Sequence, residues 1–521
     1  MQTQVLIIGG GVTGVGLARD LALRGVDCIL AEAYDLNAGA SGANHGLLHS
    51  GCRYVASDPH SARECHEESS LLRKLAPHVV EETGGYFVAV PGDDERYIAD
   101  FPGRCRSAGI PVRSQDVPAA REQEPELAGN AVAVFEVPDA TVDPFHLVLD
   151  TLTHARELGA RFLGHTRLEG FEMRQGRVEI ARLRNTRNGR EYRVRADQIV
   201  NAAGAWAGEV AAMAGGNVAM RCVKGTLLVT HDRMTRRVIN RLRPPGDGDI
   251  LVPGGTVSIL GTTSVRVESL DDIAPTVAEV DVNVEQGSAM VPGLASTRYI
   301  RAYAGVRPLL LEQDDSSDRN ASRGVALLDH ERDGLQNFVT ITGGKLTTFR
   351  LMAEQTADLV CARLGVHAPC RTRTTPLPAA EPWRWNEAGL ARKGWLSEHE
   401  PGDVLLCECE MVPRSGVDAI LDMAAEEGEA TGLKALNRRS RVGKGACQGT
   451  FCGLRLTSYL YDRDDLDSDE GIVQLRDFLE ERWKGQRPVL WGPAAAQAEL
   501  QEALYCGLMG LELPSTDREG A

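Results

Sequence analysis

Val5-Leu6-Ile7-Ile8-Gly9-Gly10-Gly11-Val12-Thr13-Gly14 reads as a buried strand that runs into a glycine turn. Leu17, Leu21 and Leu23 give the following helix an apolar side, and Gly25 stands where a helix normally stops. A second apolar run, 26–31, ends in Glu32. The unit is strand–turn–helix–strand, with G-x-G-x-x-G at Gly9, Gly11 and Gly14 and an acid 18 residues past the last glycine. Glycines there let backbone approach a pyrophosphate at the helix N-terminus, where unpaired N–H groups and the helix dipole favour negative charge. Glu32 is placed to accept hydrogen bonds from a ribose. Glycine clusters also make ordinary turns, and it is the surrounding βαβ context that assigns this one to a dinucleotide.

At 521 residues the chain has length for two or three domains, and 43% hydrophobic with 25% charged residues is a globular composition. A net charge of −16 argues against nucleic acid as a general partner, while leaving room for a local basic pocket. No apolar run approaches the roughly 18 residues of a membrane span, and 5–8 is too short for a signal peptide. The expected location is the cytosol, or the cytosolic face of a membrane through a partner. Of twelve cysteines, eight are scattered (28, 52, 65, 105, 222, 361, 370, 506) and read as small buried hydrophobes rather than a disulfide framework.

After Glu32 comes a glycine- and alanine-rich loop, 37–51, that leads through His45 and His49 to Arg53 and Tyr54. Long loops inside a compact domain are usually functional. Residues 56–75 read as a helix, 82–91 as a hairpin, 146–159 as a helix and 171–195 as strands with one wet face. Residues 199–206, with Ala203 and Gly204, form a second short strand entering a small-residue turn. Close helix–strand packing would also explain that turn. Further strands are expected at 224–230 and 250–263, and 340–350 reads as a strand, a Gly343-Gly344 turn and a helix start.

The N-terminal fingerprint, the acid closing strand two and the Ser/Gly/His loop leading to Arg-Tyr resemble the FAD-dependent glycerol-3-phosphate dehydrogenases, within the amino-acid-oxidase-like flavoprotein superfamily. That resemblance covers nearly all of residues 1–375. It implies an α/β fold: a Rossmann-like FAD-binding domain with an inserted antiparallel-sheet substrate domain roofing the flavin. Cofactor contacts then fall to Gly9, Gly11, Gly14, Glu32, Ser41, His45, Ala203, Gly204, Gly343, Gly344, Leu346 and Thr347. Substrate contacts fall to Arg53, Tyr54, Arg307, Arg323 and Lys345, with Arg307, Lys345 and His49 as the catalytic set. A phosphate dianion suits guanidinium forks and an ammonium. His49 is the candidate base for a hydroxyl proton, since imidazole titrates near working pH, and orienting the flavin is its other reading.

Residues 376–402, rich in proline and charge, read as a linker. Beyond it Cys407, Cys409, Cys447 and Cys452 form C-x-C, 37 residues, C-x4-C. Two close pairs of thiolates suit a tetrahedral zinc or a 2Fe-2S cluster, and spacing alone leaves both open. Residues 441–449 resemble the bacterioferritin-associated-ferredoxin type of 2Fe-2S domain, which favours the cluster over zinc and implies an α-rich domain over 403–460. Arg438, Arg439, Arg441 and Lys444 could offset cluster charge or form a solvated basic face. Residues 461–521 are expected as a tail, in which the aromatic and basic stretch 478–491 is either core or a docking site for a partner protein.

Along its whole length, tail included, the chain resembles the flavin-bearing members of the anaerobic branch of that dehydrogenase family. The resemblance implies oxidation of sn-glycerol 3-phosphate to dihydroxyacetone phosphate. Electrons would leave through the 2Fe-2S cluster, then a second soluble subunit, then a membrane-anchoring iron–sulfur subunit, to quinone, with an FMN possible elsewhere in the complex. Hydride transfer delivers two electrons and a cluster takes one at a time, so a flavin belongs between them. The alternatives are an amine or amino-acid dehydrogenase of the same superfamily, working within a complex, and a non-catalytic iron–sulfur carrier or scaffold.

Overall fold

The computed structural model describes the chain apart from residues 272, 311–323, 380–394, 398, 427–431 and 512–521. Its first strand, Gln2–Ile8, pairs in parallel with Cys28–Ala31 on one side and with Glu191–Asn201 on the other. Side chains alternate along it. Val5 and Ile7 face one apolar core, shared with the helices Val12–Leu23, Pro144–Glu157 and Phe349–Leu364, while Leu6 and Ile8 face a second core. A strand buried on both faces is uniformly apolar, which is why 5–8 shows no polar alternation. Each such side chain removed from water contributes about 1.5–3 kcal/mol. The strand Glu191–Asn201 has two kinds of neighbour: its first half joins the antiparallel run 166–185, and its end pairs in parallel with Phe338–Gly343.

A second sheet of nine strands, almost wholly antiparallel, is built from 85–137 and 220–310 and is the expected insertion. Its long pair is Met220–Thr230 with Tyr299–Leu310. The hairpin expected over 82–91 is not there. Gly85–Ala89 is one interior strand, antiparallel to Ala133–Val137 and parallel to Val238–Arg241, whereas Val80–Glu81 pairs elsewhere with Ala140–Val142. Thr83-Gly84 does turn the chain, but it turns from one sheet into another.

Leu377 packs into the first core, so the expected linker begins inside the flavin-binding unit. Most of its remainder lies outside the described residues. The C-terminal region is helical around a small two-stranded sheet, Leu405–Cys407 with Val412–Pro413. Its apolar core runs from Leu406 to Leu511 and includes Leu466, Leu475, Phe478, Leu479 and Tyr505. Much of the stretch expected as a tail is therefore part of this core, because helix Ser468–Gln486 packs on Cys452–Asp462 and Tyr505 of Pro493–Met509 joins the same cluster. Val489 goes further and packs into the core of the nine-stranded sheet, and Trp491 stands 5.9 Å from Tyr299, ring to ring. The two units are joined by a buried ion pair, Arg439 to Asp35 at 3.4 Å. Removing one member of such a pair costs about 3–5 kcal/mol, because the other charge is left buried. Among the described residues no helix is long and apolar enough to cross a membrane.

Candidate functional site

The glycine turn forms because backbone crowds it. Gly9 has φ +115°, and a Cβ there would stand 2.5 Å from the Ala202 carbonyl oxygen, so the second small-residue turn abuts the first. A Cβ on Gly14 would meet the Gly9 carbonyl at 1.9 Å. Gly11 differs: the nearest atom to its Cβ is Ser41 Oγ at 3.1 Å. The helix that begins after Gly11 has no side-chain cap and no acid in its first turn. Such an end is an anion site, and the space over Gly11 fits a pyrophosphate. Ser41 Oγ accepts from the Val12 N–H at 2.9 Å, which fixes the 37–51 loop against that end. Glu32 accepts from the Gly10 N–H at 2.6 Å and from the Tyr34 N–H at 2.8 Å. Tyr34 and Trp206 lie 6.5 Å apart beside it. Tyr34 had no motif to announce it.

At the far end of the same loop, His49 stands 5.4 Å from the Tyr54 ring, and the Lys345 ammonium lies 4.5 Å over that ring. The His49 N–H donates to Thr347 Oγ1 at 3.2 Å. The turn 343–344 makes this possible, with Gly343 at φ +75° and Gly344 at φ +69°. The structure thus brings His49, Tyr54, Lys345 and Thr347 together from opposite parts of the sequence. His45 lies 6.1 Å from His49, ring to ring, and its Nδ1 accepts from the Leu47 N–H. Asp58 caps the helix Pro59–Leu75 by accepting from the Ser61 N–H at 3.0 Å. Burial works against its charge, but the Ser61 hydrogen bonds and then the Lys345 charge hold its carboxyl below the usual range.

Arg53 extends one guanidinium nitrogen to Asp249 at 3.2 Å, while its Nη1 is buried with no hydrogen-bond partner among the described residues. Asp249 also holds Arg243, at 2.7 Å. Arg307 lies on the roof sheet over Gly225, where its Nη1 donates to the Thr263 carbonyl at 3.2 Å and its Nη2 to Thr262 Oγ1. Asp249, Thr262 and Thr263 escaped the sequence reading, because each acts on an arginine far away along the chain. Arg323 lies outside the described residues.

The four clustered cysteines converge. Sγ of Cys409 is 3.9 Å from that of Cys407 and 3.7 Å from that of Cys447, and Cys452 interacts with both Cys407 and Cys447. Two thiolates on one tetrahedral metal at about 2.3 Å stand about 3.8 Å apart, so the pairs have ligand spacing. No group of three or more His, Cys, Asp or Glu among the described residues forms a finished metal cage. Hydrogen bonds from Cys409 and Cys452, then from the Phe451 and Gly449 N–H groups, outweigh burial and push the Cys447 thiol down, while Cys409 is pushed up by its bonds to Cys407 and Cys447. Sulfur-rich donors with N–H groups aimed at them fit zinc and 2Fe-2S alike. Of the basic residues nearby, Arg439 and Arg441 hold Asp35 and Glu410, and Lys444 lies 3.2 Å over Phe145. The Arg438 side chain is outside the described residues. Among the described residues the scattered cysteines form no disulfide, and most are buried.

A profile of the family "FAD dependent oxidoreductase" matches residues 4–359. The A subunit of the anaerobic glycerol-3-phosphate dehydrogenase of Escherichia coli K12 is 43% identical over 99% of this chain and 98% of its own. The A1 subunit of the corresponding Haloferax volcanii protein is 40% identical over 97% of this chain and 90% of its own. Among solved structures, glycerol-3-phosphate dehydrogenase from Bacillus halodurans, complexed with FAD, superposes with a TM-score of 0.65 at 21% identity, covering 94% of this chain and 96% of that one. That likeness shows the fold.

Proposed function

The chain belongs to the FAD dependent oxidoreductase family and, within it, to the A-subunit group of anaerobic glycerol-3-phosphate dehydrogenases, and from that premise we propose how its residues carry out the oxidation of sn-glycerol 3-phosphate to dihydroxyacetone phosphate. Gly9, Gly11, Gly14 and Glu32 hold the pyrophosphate and ribose of FAD, with Ser41, His45, Ala203, Gly204, Gly343, Gly344, Leu346 and Thr347 along the rest of the cofactor. Bound FAD supplies the acceptor for the hydride leaving C2. The observation that carries the site assignment is the His49–Tyr54–Lys345 group beside Thr347, with the unpartnered Arg53 Nη1 next in sequence. A buried guanidinium nitrogen without a partner is costly unless an anion completes it. Arg53, Arg307, Arg323 and Lys345 neutralise the substrate phosphate, and His49 takes the C2 hydroxyl proton.

Cys407, Cys409, Cys447 and Cys452 hold a 2Fe-2S cluster, which supplies one-electron transfer out of the chain. The receivers are partner proteins at the cytoplasmic face of the membrane, and through them quinone. The relatives are themselves named as subunits, which supports partners. The test is anaerobic addition of glycerol 3-phosphate to the purified yellow protein, with L-proline in parallel. Bleaching of the flavin by the phosphate alone is the expected result. Bleaching by proline alone would hand the chain to the amino-acid dehydrogenases.

A further inference from the structure

A cavity of about 1480 Å³ opens between the two units. Its walls are the outer side of loop 37–46 and the segment 141–145 from the flavin-binding unit, and 409–411, Arg441, Lys444 and 481–488 from the cysteine-bearing unit. Gly11, Glu32, Arg53, Arg307 and Lys345 are not among the residues lining it, whereas His45 is, so it adjoins the proposed cofactor site at that histidine and does not reach the substrate residues.

Three of its cations are poorly served. Arg482 is 6% exposed, spends Nη2 on Asn437, and has a buried Nε without a partner among the described residues. Arg301 Nη1 is also buried without a partner, and Glu481, mostly exposed, stands 3.9 Å from its Nη2. The Lys444 ammonium rests on Phe145 and donates to the Ser440 carbonyl at 2.5 Å. Burial and then the neighbouring Arg301 push Arg482 well below its ordinary pKa against the opposing Glu481, and burial lowers Lys444, where Asp143 opposes the shift and Arg441 and Arg482 add to it. Arg233 and Arg441 line the same cavity and are already paired, with Glu81 and Glu410. Asp143, Glu410 and Glu481 also line the cavity, yet among the described residues none accepts from the buried Arg301 Nη1 or Arg482 Nε, and a buried guanidinium nitrogen without an acceptor calls for an anion.

We propose that this inter-unit cavity binds a phosphorylated ligand of about mononucleotide size, with its phosphate held between Arg301, Arg482 and Lys444. Guanidinium forks with an ammonium are phosphate chemistry. The volume exceeds the roughly 300–1,000 Å³ of ordinary ligand pockets, far more than a bare phosphate fills. Val229, Val257 and Ile259 give the rest of the ligand an apolar wall.

The test is calorimetric titration of the FAD-loaded full chain with AMP, with flavin mononucleotide and with inorganic phosphate. At least one nucleotide should bind saturably, one per chain, with phosphate weaker. Arg482→Gln and Arg301→Gln should each weaken that binding roughly tenfold or more, as expected for a lost charged contact. Lys345→Ala, in the substrate site, should leave it unchanged. Without ligand, Arg482→Gln should melt at or above the wild-type temperature, because a repelling charge is gone. The proposal is overturned by no saturable binding of any probe, by binding that ignores both arginine variants, or by binding that Lys345→Ala abolishes. An acidic segment of a partner protein as the occupant predicts the first of these. An Arg482→Gln variant that melts well below wild type would make Arg482 a structural cation and overturn it as well.

Discussion

Gly9, Gly11 and Gly14 answer to different neighbours, and substitutions should separate them. A side chain on Gly14 drives into the Gly9 carbonyl, so Gly14→Val should not give folded protein. On Gly11 a side chain meets Ser41 Oγ and otherwise the space a pyrophosphate needs. Gly11→Val should therefore fold, by circular dichroism, and purify colourless; full flavin absorbance would refute the assignment. On the substrate side, losing one desolvated charged contact costs about 1.5–3 kcal/mol, so Lys345→Ala and Arg307→Ala should each lower kcat/KM roughly ten- to a hundredfold with FAD retained. Unchanged kcat/KM in both would remove them from the site. What was legible at this scale was what is local: the fingerprint, Glu32, and the loop leading to Arg53. The Asp249 that holds Arg53, and the Thr262–Thr263 pair that holds Arg307, meet their arginines only through the nine-stranded sheet. No spacing in the sequence announces contacts of that kind.

The helix Pro59–Leu75 begins at Asp58, whose side chain accepts from the Ser61 N–H and feels Lys345. Its carboxyl is depressed in the folded protein, so its stabilisation is complete above the unfolded value near 4 and is lost as pH falls through the folded one. Asp58→Asn, which keeps a cap but not the charge, should be less stable at pH 7 by about 0.3–1 kcal/mol, the scale of a helix-end charge. The gap should narrow as pH falls below 4 in thermal melts, and a gap independent of pH would exclude the charge as its cause. Elements with strong local pattern, such as the first strand, its helix and the strands within 171–195, could be read directly. The 82–91 stretch misled because a turn signal names a change of direction and not the strand that will receive it.

Across the whole molecule, the cysteine-bearing unit is proposed to lie downstream of the substrate chemistry. Cys447→Ser should still bleach its flavin with glycerol 3-phosphate under anaerobic conditions, while quinone reduction by the assembled complex collapses. Stoichiometric zinc without iron or sulfide in anaerobically purified protein would sink the relay and leave the dehydrogenase assignment standing. The two units were legible as composition and motif, but their joint was not: the Arg439–Asp35 pair and the reach of Val489 into the roof are long-range pairings that only the fold creates. That last contact bears on how the protein is made. The final strand of the roof, Tyr299–Leu310, leaves the ribosome well before residue 489 is added. At about 5–20 residues per second, the wait for roughly 180 residues is about 10–35 s. During it a nascent chain has every motif of the flavin fold and an apolar gap in its roof, so late flavin loading is the expected outcome, and a ribosome stalled near residue 425 should display a flavin-free, protease-sensitive chain.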